Sequence, residues 1–218
     1  MKRTLGEWRT VQLSWIYVES IFSSPDMKRN LAEVNQVFIK VHRNWLDLMR
    51  AVNDKPLALP VAGLQLGTLE QLKAMARDLD EVQKSVDGYL EDKRQTFPRF
   101  YFLSDDELLA ILSETRNPDK VQPHLRKCFD NIDRLVFGEN HKVSAIVSLE
   151  GEEVELKREV TPREGVDIWL GLVEAEVEAT LKHRLIGALA TYSAKKRTSW
   201  IFNHPAQLVL AVAQVSAA

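Results

Sequence analysis

The amino-acid sequence predicts a mainly α-helical protein: an elongated antiparallel array of helix bundles that carries one small β-hairpin near residues 143–158. Three observations support this class. Apolar residues recur at steps of three and four along most of the chain, proline and glycine gather at a few breaks, and only one short stretch alternates around a turn. We expect two parts: a three-helix bundle in residues 1–96, and short helices, the hairpin and long C-terminal helices in residues 97–218.

Composition excludes several classes of function. The formal charge of −2, from 29 basic and 31 acidic residues, gives no overall attraction to nucleic acid or to an anionic membrane. The basic triplet Lys195–Arg197 is typical of a solvated helix face. The single cysteine, Cys128, excludes an intramolecular disulfide and fits a reducing compartment. The longest apolar run, Leu208–Val215, is too short to span a bilayer. We therefore expect neither nucleic acid nor a membrane as a partner.

Three long amphipathic helices are predicted in residues 1–96. The stripe of the first is Trp8, Val11, Trp15, Val18 and Phe22, and turn chemistry at Ser23–Asp26 interrupts it. The second helix has the stripe Leu31, Val34, Phe38, Val41, Trp45, Leu48 and Val52, and we expect it to run unbroken past Ala32. A break with Pro56, Pro60, Gly63 and Gly67 follows. The third helix extends from Thr68 to about Thr96, because Pro98 disfavours helix at the residue before it.

The next segment changes character. Phe97–Leu103 is rich in aromatics, contains a proline and is predicted to be extended or irregular. Ser104 and Glu107 have the spacing of a capping box for a short helix that ends at Asn117–Pro118. Pro123 suits the first turn of another short helix through Cys128 and Phe129.

The hairpin and two further helices complete the prediction. Val143–Leu149 and Val154–Leu156 alternate on either side of a Glu-Gly-Glu turn, and such a hairpin must lie on helices to be stable. A long helix is expected to begin after Thr161–Pro162, with apolar residues recurring from Val166 to Tyr192, and a final helix begins near Pro205. Its apolar pattern continues to the last residues, so we expect this chain to be a piece of a longer polypeptide.

Motifs of catalysis are missing from the sequence. It contains no GxxxxGK[ST], GxGxxG or GxSxG, and its five histidines lack the spacing of a helical zinc site. His124 and Cys128 are four residues apart, but a closed metal site needs two more ligands. Cys128, next to Phe129 in an amphipathic helix, is expected in the core. We expect no enzyme activity, no cofactor and no metal.

Several segments resemble the linker region of dynein heavy chains, in the order of that family. They read WRTVQLSWIYVESIF from Trp8, YLEDKRQTFPRFYFLS from Tyr89 and VQPHLRKCF from Val121, and the hairpin and the start of the Val166 helix match as well. The residues that carry the resemblance are Trp15, Phe97, Pro98, Arg99, Phe100, Tyr101, Phe102, Leu103, Ser104, Gln122, Pro123, Cys128, Phe129 and Trp169.

The resemblance implies a non-catalytic mechanical segment from the middle to C-terminal part of a linker arch. Such a linker bends and straightens across an AAA+ ring and converts ATP-driven changes into a power stroke for movement along microtubules. The implied partners are the AAA+ ring of the same heavy chain and the rest of the linker and tail, without direct microtubule contact. The segment ILSETRNPDKVQPHL resembles axonemal more than cytoplasmic dyneins. The implied location is therefore the axoneme of a cilium or flagellum, with the cytoplasm as the alternative.

Two points stay open at this stage. A stand-alone helical scaffold that binds partner proteins is the alternative function. If the chain is a linker, its compliance is expected at a non-helical break, either Phe97–Leu103 or Phe137–Val143.

Overall fold

The computed structural model describes residues 2–54, 67–113, 118–163 and 165–217. The protein is mainly helical with one small antiparallel sheet, as predicted. The chain divides into two compact units, the first made of Met1–Lys93 with Leu108–Glu114 and the second of Arg94–Glu107 with Thr115–Ala218. The predicted break at Pro56, Pro60 and Gly63 lies outside the described residues, as does Asn117.

The first unit contains helices α1 (Lys2–Ile21), α2 (Pro25–Asn30) and α3 (Ala32–Asp54) and most of α4 (Thr68–Thr96). The predicted stripes form its core, whose buried members are Val11, Val18, Phe22, Phe38, Val41, Trp45, Leu72, Met75, Leu79 and Val82. Aromatic pairs join α1 and the turn after it to α3: the ring centroids of Trp8 and Trp45 lie 5.7 Å apart, and those of Phe22 and Phe38 lie 5.5 Å apart. Hydrophobic burial along period-3.6 stripes therefore holds these helices together.

The expectation of an unbroken second helix is wrong. Leu31 has φ −120° and ψ 47°, outside helical geometry, so α2 ends at Asn30 and α3 begins at Ala32. Ser24 caps α2 by accepting from the amide of Asp26 over 3.2 Å. The Ser24 hydroxyl also donates to the carbonyl of Ser113 over 2.8 Å. The capped turn at residues 25–30 is thus anchored to another segment of the same unit, and a tertiary contact sets the start of this helix.

Short helical segments follow α4. A 3₁₀ helix spans Pro98–Phe102, α5 spans Asp105–Ser113, a second 3₁₀ helix spans Pro118–His124, and α6 spans Leu125–Cys128. Two predictions change here: residues 98–102 are helical instead of extended, and Pro123 lies inside the second 3₁₀ helix instead of the first turn of α6.

The predicted hairpin is part of a three-stranded antiparallel sheet with the order β1 (Arg134–Phe137), β2 (Val143–Val147), β3 (Glu153–Val160). The sequence does not predict strand β1, because four residues are too few to display a period of two. The pairing of β2 with β3 jumps from Val143↔Val160 to Ala145↔Glu155, so residues 156–159 bulge out of the ladder.

Helix α7 (Val166–Tyr192) binds the backbone of that bulge. The amide of Lys157 donates to the buried hydroxyl of Thr180 over 3.0 Å, and the amide of Arg158 donates to Glu176 Oε1 over 2.9 Å. These side chains satisfy donors that the irregular pairing leaves open. The sheet therefore lies on a helix, as the stability of a short hairpin requires.

Helix α7 is followed by α8 (Arg197–Trp200), a 3₁₀ turn at Ile201–Asn203 and α9 (Ala206–Ala217). A small cluster of Ala188, Trp200 and Val212 is fully buried between them, and Trp200 Nε1 donates to the carbonyl of Ala188 over 3.2 Å. Among the helices of the described residues, none combines the length and the apolar composition that crossing a membrane requires.

Candidate functional site

The segment with the strongest sequence signature builds a junction in the second unit. We use "the junction" for residues 97–107 and 122–129 together with Leu135 of β1 and Glu174 of α7. Because a 3₁₀ helix has three residues per turn, Phe97, Phe100 and Leu103 share one face, and all three are buried. Tyr101 and Phe102 lie on the other faces and are 55% and 69% exposed.

Aromatic rings fill the interior of the junction. Phe97 and Phe100 pack edge to face with centroids 5.0 Å apart, and Phe97 lies 6.1 Å from Phe129. Pro98 occupies the first turn of the 3₁₀ helix, where its missing amide hydrogen has no partner to lose, and it holds Phe97 in extended geometry. The aromatic face therefore joins the 3₁₀ helix to the residue that ends α6.

Arg99 makes the most extensive polar contacts of the junction. Its Nε and Nη2 lie 2.8 Å and 2.7 Å from Oε1 of Glu174 in α7, and its Nη1 donates to the carbonyl of Cys128 over 3.0 Å. The guanidinium also stacks over the ring of Phe129 at 4.8 Å. A planar fork with several donors suits this set of partners, and a lysine ammonium could replace only part of it. Arg99 thus connects the 3₁₀ helix, α6 and α7.

The predicted capping box is present at the start of α5. The amide of Glu107 donates to Ser104 Oγ over 3.3 Å, and the amide of Ser104 donates back to Glu107 Oε2 over 3.1 Å. Lys127 of α6 donates to Glu107 Oε1 over 2.6 Å. The hydrogen bonds from Lys127 and Ser104 lower the pKa of Glu107 to about 2. Glu107, which lies in the second unit, therefore contacts both its cap partner Ser104 and Lys127 of α6.

The side chain of Gln122 pairs with the backbone of strand β1 as a neighbouring strand would. Its side-chain amide donates to the carbonyl of Leu135 over 2.8 Å and accepts from the amide of Leu135 over 3.0 Å. Both backbone groups of one β1 residue are thereby paired with a single side chain. Pro123, next to it, lies exposed in the second 3₁₀ helix.

Cys128 is a core residue, 2% exposed, and burial raises the pKa of its thiol to about 11 although the Arg99 charge opposes that shift. A buried thiol with a raised pKa is a poor nucleophile. His124 Nδ1 lies 3.8 Å from Glu107 Oε1 and not in a ligand set. No group of three His, Cys, Asp or Glu side chains suited to a metal exists in the parts of the chain that the structure describes.

Two signature residues lie away from the junction. Trp15 belongs to the first unit, where its Nε1 donates to Nδ1 of His42 over 3.3 Å and the two rings stack. Trp169 is 1% exposed in α7.

The sequence did not predict a role for Glu174. A charged residue in a long helix gives no sign of pairing with Arg99, which lies 75 positions earlier. The sequence likewise did not predict a role for Arg94, which donates to Asp105 over 2.6 Å.

The contacts of the junction are structural: they hold several elements of the second unit together. Aromatic packing, an arginine fork, a cap and a glutamine pair join residues 97–107, the second 3₁₀ helix, α6, β1 and α7 within the second unit. Groups that could act as nucleophile and base within reach of one another are missing from these contacts.

Comparison with known proteins identifies relatives of this chain. The family model of "Dynein heavy chain, N-terminal region 2" matches residues 1–188. The chain is 44% identical over 233 residues to dynein axonemal heavy chain 6 of Homo sapiens, with 98% of this chain and 6% of that protein covered. It is 41% identical over 213 residues to dynein axonemal heavy chain 1 of Homo sapiens, and 39% identical over 218 residues to dynein axonemal heavy chain 12 of Rattus norvegicus.

The chain spans 5% and 7% of the length of these last two relatives, so it corresponds to a small part of each. The matched family model describes an N-terminal region of the heavy chain and not its middle.

Proposed function

This chain belongs to the dynein heavy chain family, and on that premise we propose that it is a mechanical segment of the linker of an axonemal dynein. In this role it bends and straightens across the AAA+ ring of the same heavy chain and passes ATP-driven changes of the ring to the tail. The segment itself is non-catalytic, since the matched N-terminal region carries none of the phosphate-binding GxxxxGK[ST] loops.

The observation that carries this proposal is the way Arg99 binds three elements at once. An element that transmits force needs joints whose contacts are many, short and distributed over several segments, because a joint held by one contact yields there first. The contacts of Arg99 to Glu174, Cys128 and Phe129 and the aromatic face of Phe97 have this character. We propose that the junction is a rigid part of the linker and that residues 1–96 and 97–218 are two parts of the same arch.

We propose that the flexible part of the linker lies outside Phe97–Leu103. The amides of Phe100 and Leu103 are hydrogen-bonded at 3.0 Å and 3.1 Å, and the aromatic face is buried. In Phe137–Val143, by contrast, Asn140 and His141 have φ of 57° and 55° and are exposed. Of the two breaks, we propose that Phe137–Val143 is the softer one. Hydrogen exchange measures this directly: fast exchange at Asn140 and His141 with slow exchange at Phe100 and Leu103 is expected, and uniformly slow exchange through both breaks would refute it.

The mechanical role is tested in the parent heavy chain. Arg99→Ala combined with Glu174→Ala is expected to leave the ATPase activity of the ring in place and to slow microtubule gliding in a surface assay, because weaker contacts in the arm transmit less of each stroke. Arg126→Ala, which removes an exposed ion pair to Asp133, is the matched control and should glide normally. Normal gliding by the Arg99 variant would contradict the proposal.

The location follows from the same relatives. The heavy chains that match almost the whole chain are axonemal dyneins, which supports a place in the axoneme of a cilium or flagellum. The proposed partners are the AAA+ ring of the same heavy chain, the rest of its linker and its tail, with no direct contact to the microtubule.

A further inference from the structure

The charge of the chain is distributed unevenly along its length. All 31 acidic residues precede position 179, so the last 40 residues, 179–218, contain five basic residues and no acidic one. Three of these basic residues are consecutive and exposed: Lys195 and Lys196 precede α8, and Arg197 is its first residue. No carboxylate among the described residues pairs with Lys195, Lys196 or Arg197. This corner of the second unit therefore carries positive charge that the described part of the chain leaves uncompensated.

Ser199 lies two residues after this triplet. The residue is exposed, and within the described part of the chain its Oγ takes part in no hydrogen bond. The hydroxyls of Ser85 and Thr191, by contrast, donate to backbone carbonyls one turn earlier. Ser199 thus combines exposure, an unengaged oxygen and basic residues at the two positions that lie two and three residues before it.

We propose that Ser199 is a phosphorylation site for a protein kinase that selects basic residues on the N-terminal side of its target. Such kinases recognise substrates with acidic clefts, and charge complementarity between cleft and substrate provides the selection. In the reaction, Ser199 Oγ attacks the γ-phosphorus of ATP bound to the kinase. The bond from that phosphorus to the β,γ-bridging oxygen breaks, ADP leaves, and the hydroxyl proton passes to the carboxylate base of the kinase.

Access to the site requires the opening of one helical turn. The amide of Ser199 donates to the carbonyl of Lys196 over 3.0 Å, and its carbonyl accepts from Asn203 Nδ2 over 2.7 Å. Helix α8 has four residues, and an exposed single turn is marginal by itself. Local opening of such a turn costs little, while the buried Trp200 keeps the following residue in place.

The modification would change the electrostatics of the corner. A phosphoryl group adds about −1.5 to −2 charge and three acceptor oxygens beside the basic triplet. Arg197 now donates to the hydroxyl of Tyr192 over 2.6 Å and lies over its ring, and that ring packs against Trp200. A phosphate two residues away competes for the Arg197 guanidinium, so modification at the surface acts on the contacts of a buried tryptophan. This inference goes beyond the linker proposal and does not depend on it.

The test uses the full 218-residue chain, the catalytic subunit of cAMP-dependent protein kinase as the basophilic probe, and ATP. Tandem mass spectrometry is expected to locate one phosphoryl group on Ser199. Ser199→Ala should lower incorporation about tenfold or more, and Lys195→Ala with Lys196→Ala should lower it by a similar factor, because neither lysine has a carboxylate partner in the described chain whose loss would disturb the fold. Ser85→Ala is the control and should leave incorporation unchanged.

Two results would overturn the proposal. One is the absence of incorporation into the wild-type chain while circular dichroism shows it to be folded. The other is incorporation that persists in Ser199→Ala at the wild-type rate, which would place the modification on Thr198 or elsewhere.

Discussion

The side chain of Gln122 pairs with both backbone groups of Leu135, donating to its carbonyl over 2.8 Å and accepting from its amide over 3.0 Å. In effect one glutamine takes the place of a neighbouring strand at the start of the sheet. Leu135 itself is 3% exposed and lies opposite Ile146 in β2. The junction and the sheet are thereby joined by a signature residue whose partner no local pattern in the sequence indicates.

Replacing Gln122 should destabilise the chain. Gln122→Ala leaves the amide and carbonyl of Leu135 without partners, which should lower the free energy of unfolding by about 1–3 kcal/mol. Gln122→Glu keeps the acceptor for the amide but loses the donor to the carbonyl, so it should fall between wild type and alanine. Urea unfolding measures both. Gln207→Ala, on an exposed face of α9, is the control, and equal effects at positions 122 and 207 would contradict the pairing.

Arg99 and Glu174 should be energetically coupled. A double-mutant cycle with Arg99→Ala and Glu174→Ala is expected to give a coupling free energy of about 1 kcal/mol, because both side chains are only partly exposed and share two short contacts. Arg99→Lys should recover only part of the loss, since lysine cannot contact Glu174, the Cys128 carbonyl and the Phe129 ring together. Full recovery by lysine would show that charge alone matters.

Trp169 should be a large contributor to stability. It is 1% exposed, so Trp169→Ala should leave a cavity and cost about 3–5 kcal/mol. The matched control is Phe202→Ala, at a side chain that is 87% exposed, which should change stability by no more than about 0.5 kcal/mol. Thermal unfolding of both variants checks this, and an unchanged midpoint for Trp169→Ala would disprove a core role.

Glu107 should make stability depend on pH in the acid range. Its pKa of about 2 in the folded chain lies below the ordinary value of 4.5, so the folded state favours the charged carboxylate. The contribution of Glu107 is therefore complete above pH 4.5 and disappears as the pH falls towards 2. The difference in unfolding midpoint between wild type and Glu107→Gln should shrink over that interval. In Lys127→Ala, NMR titration should find the pKa of Glu107 raised, because its strongest donor is gone.

The Cys128 thiol should report unfolding. Because burial raises its pKa to about 11 and covers the sulfur, a thiol reagent at neutral pH should not modify the folded chain. In urea, labelling should follow the unfolding transition measured by circular dichroism. Rapid modification under native conditions would mean that α6 opens independently of the rest of the unit.

The sequence by itself determined the elements whose signal is local. The positions of α4 and α7, the apolar stripes of α1 and α3 and the Ser104–Glu107 cap all depend on residues within a few turns of one another, and the structure contains each of them. The resemblance to dynein heavy chains is likewise carried by runs of consecutive residues, and the family comparison confirms it.

Tertiary structure decided the features that depend on distant partners. Leu31 breaks the helix expected to be continuous, and β1 exists because β2 pairs with it. The 3₁₀ helix at 98–102 buries Phe97 and Phe100 against Phe129. Arg99 contacts Glu174, which lies 75 residues later in the sequence, and Gln122 contacts Leu135, which lies 13 residues later. Contacts of this kind satisfy buried or charged groups only once the chain has folded, so they leave no periodic trace in the sequence around either partner.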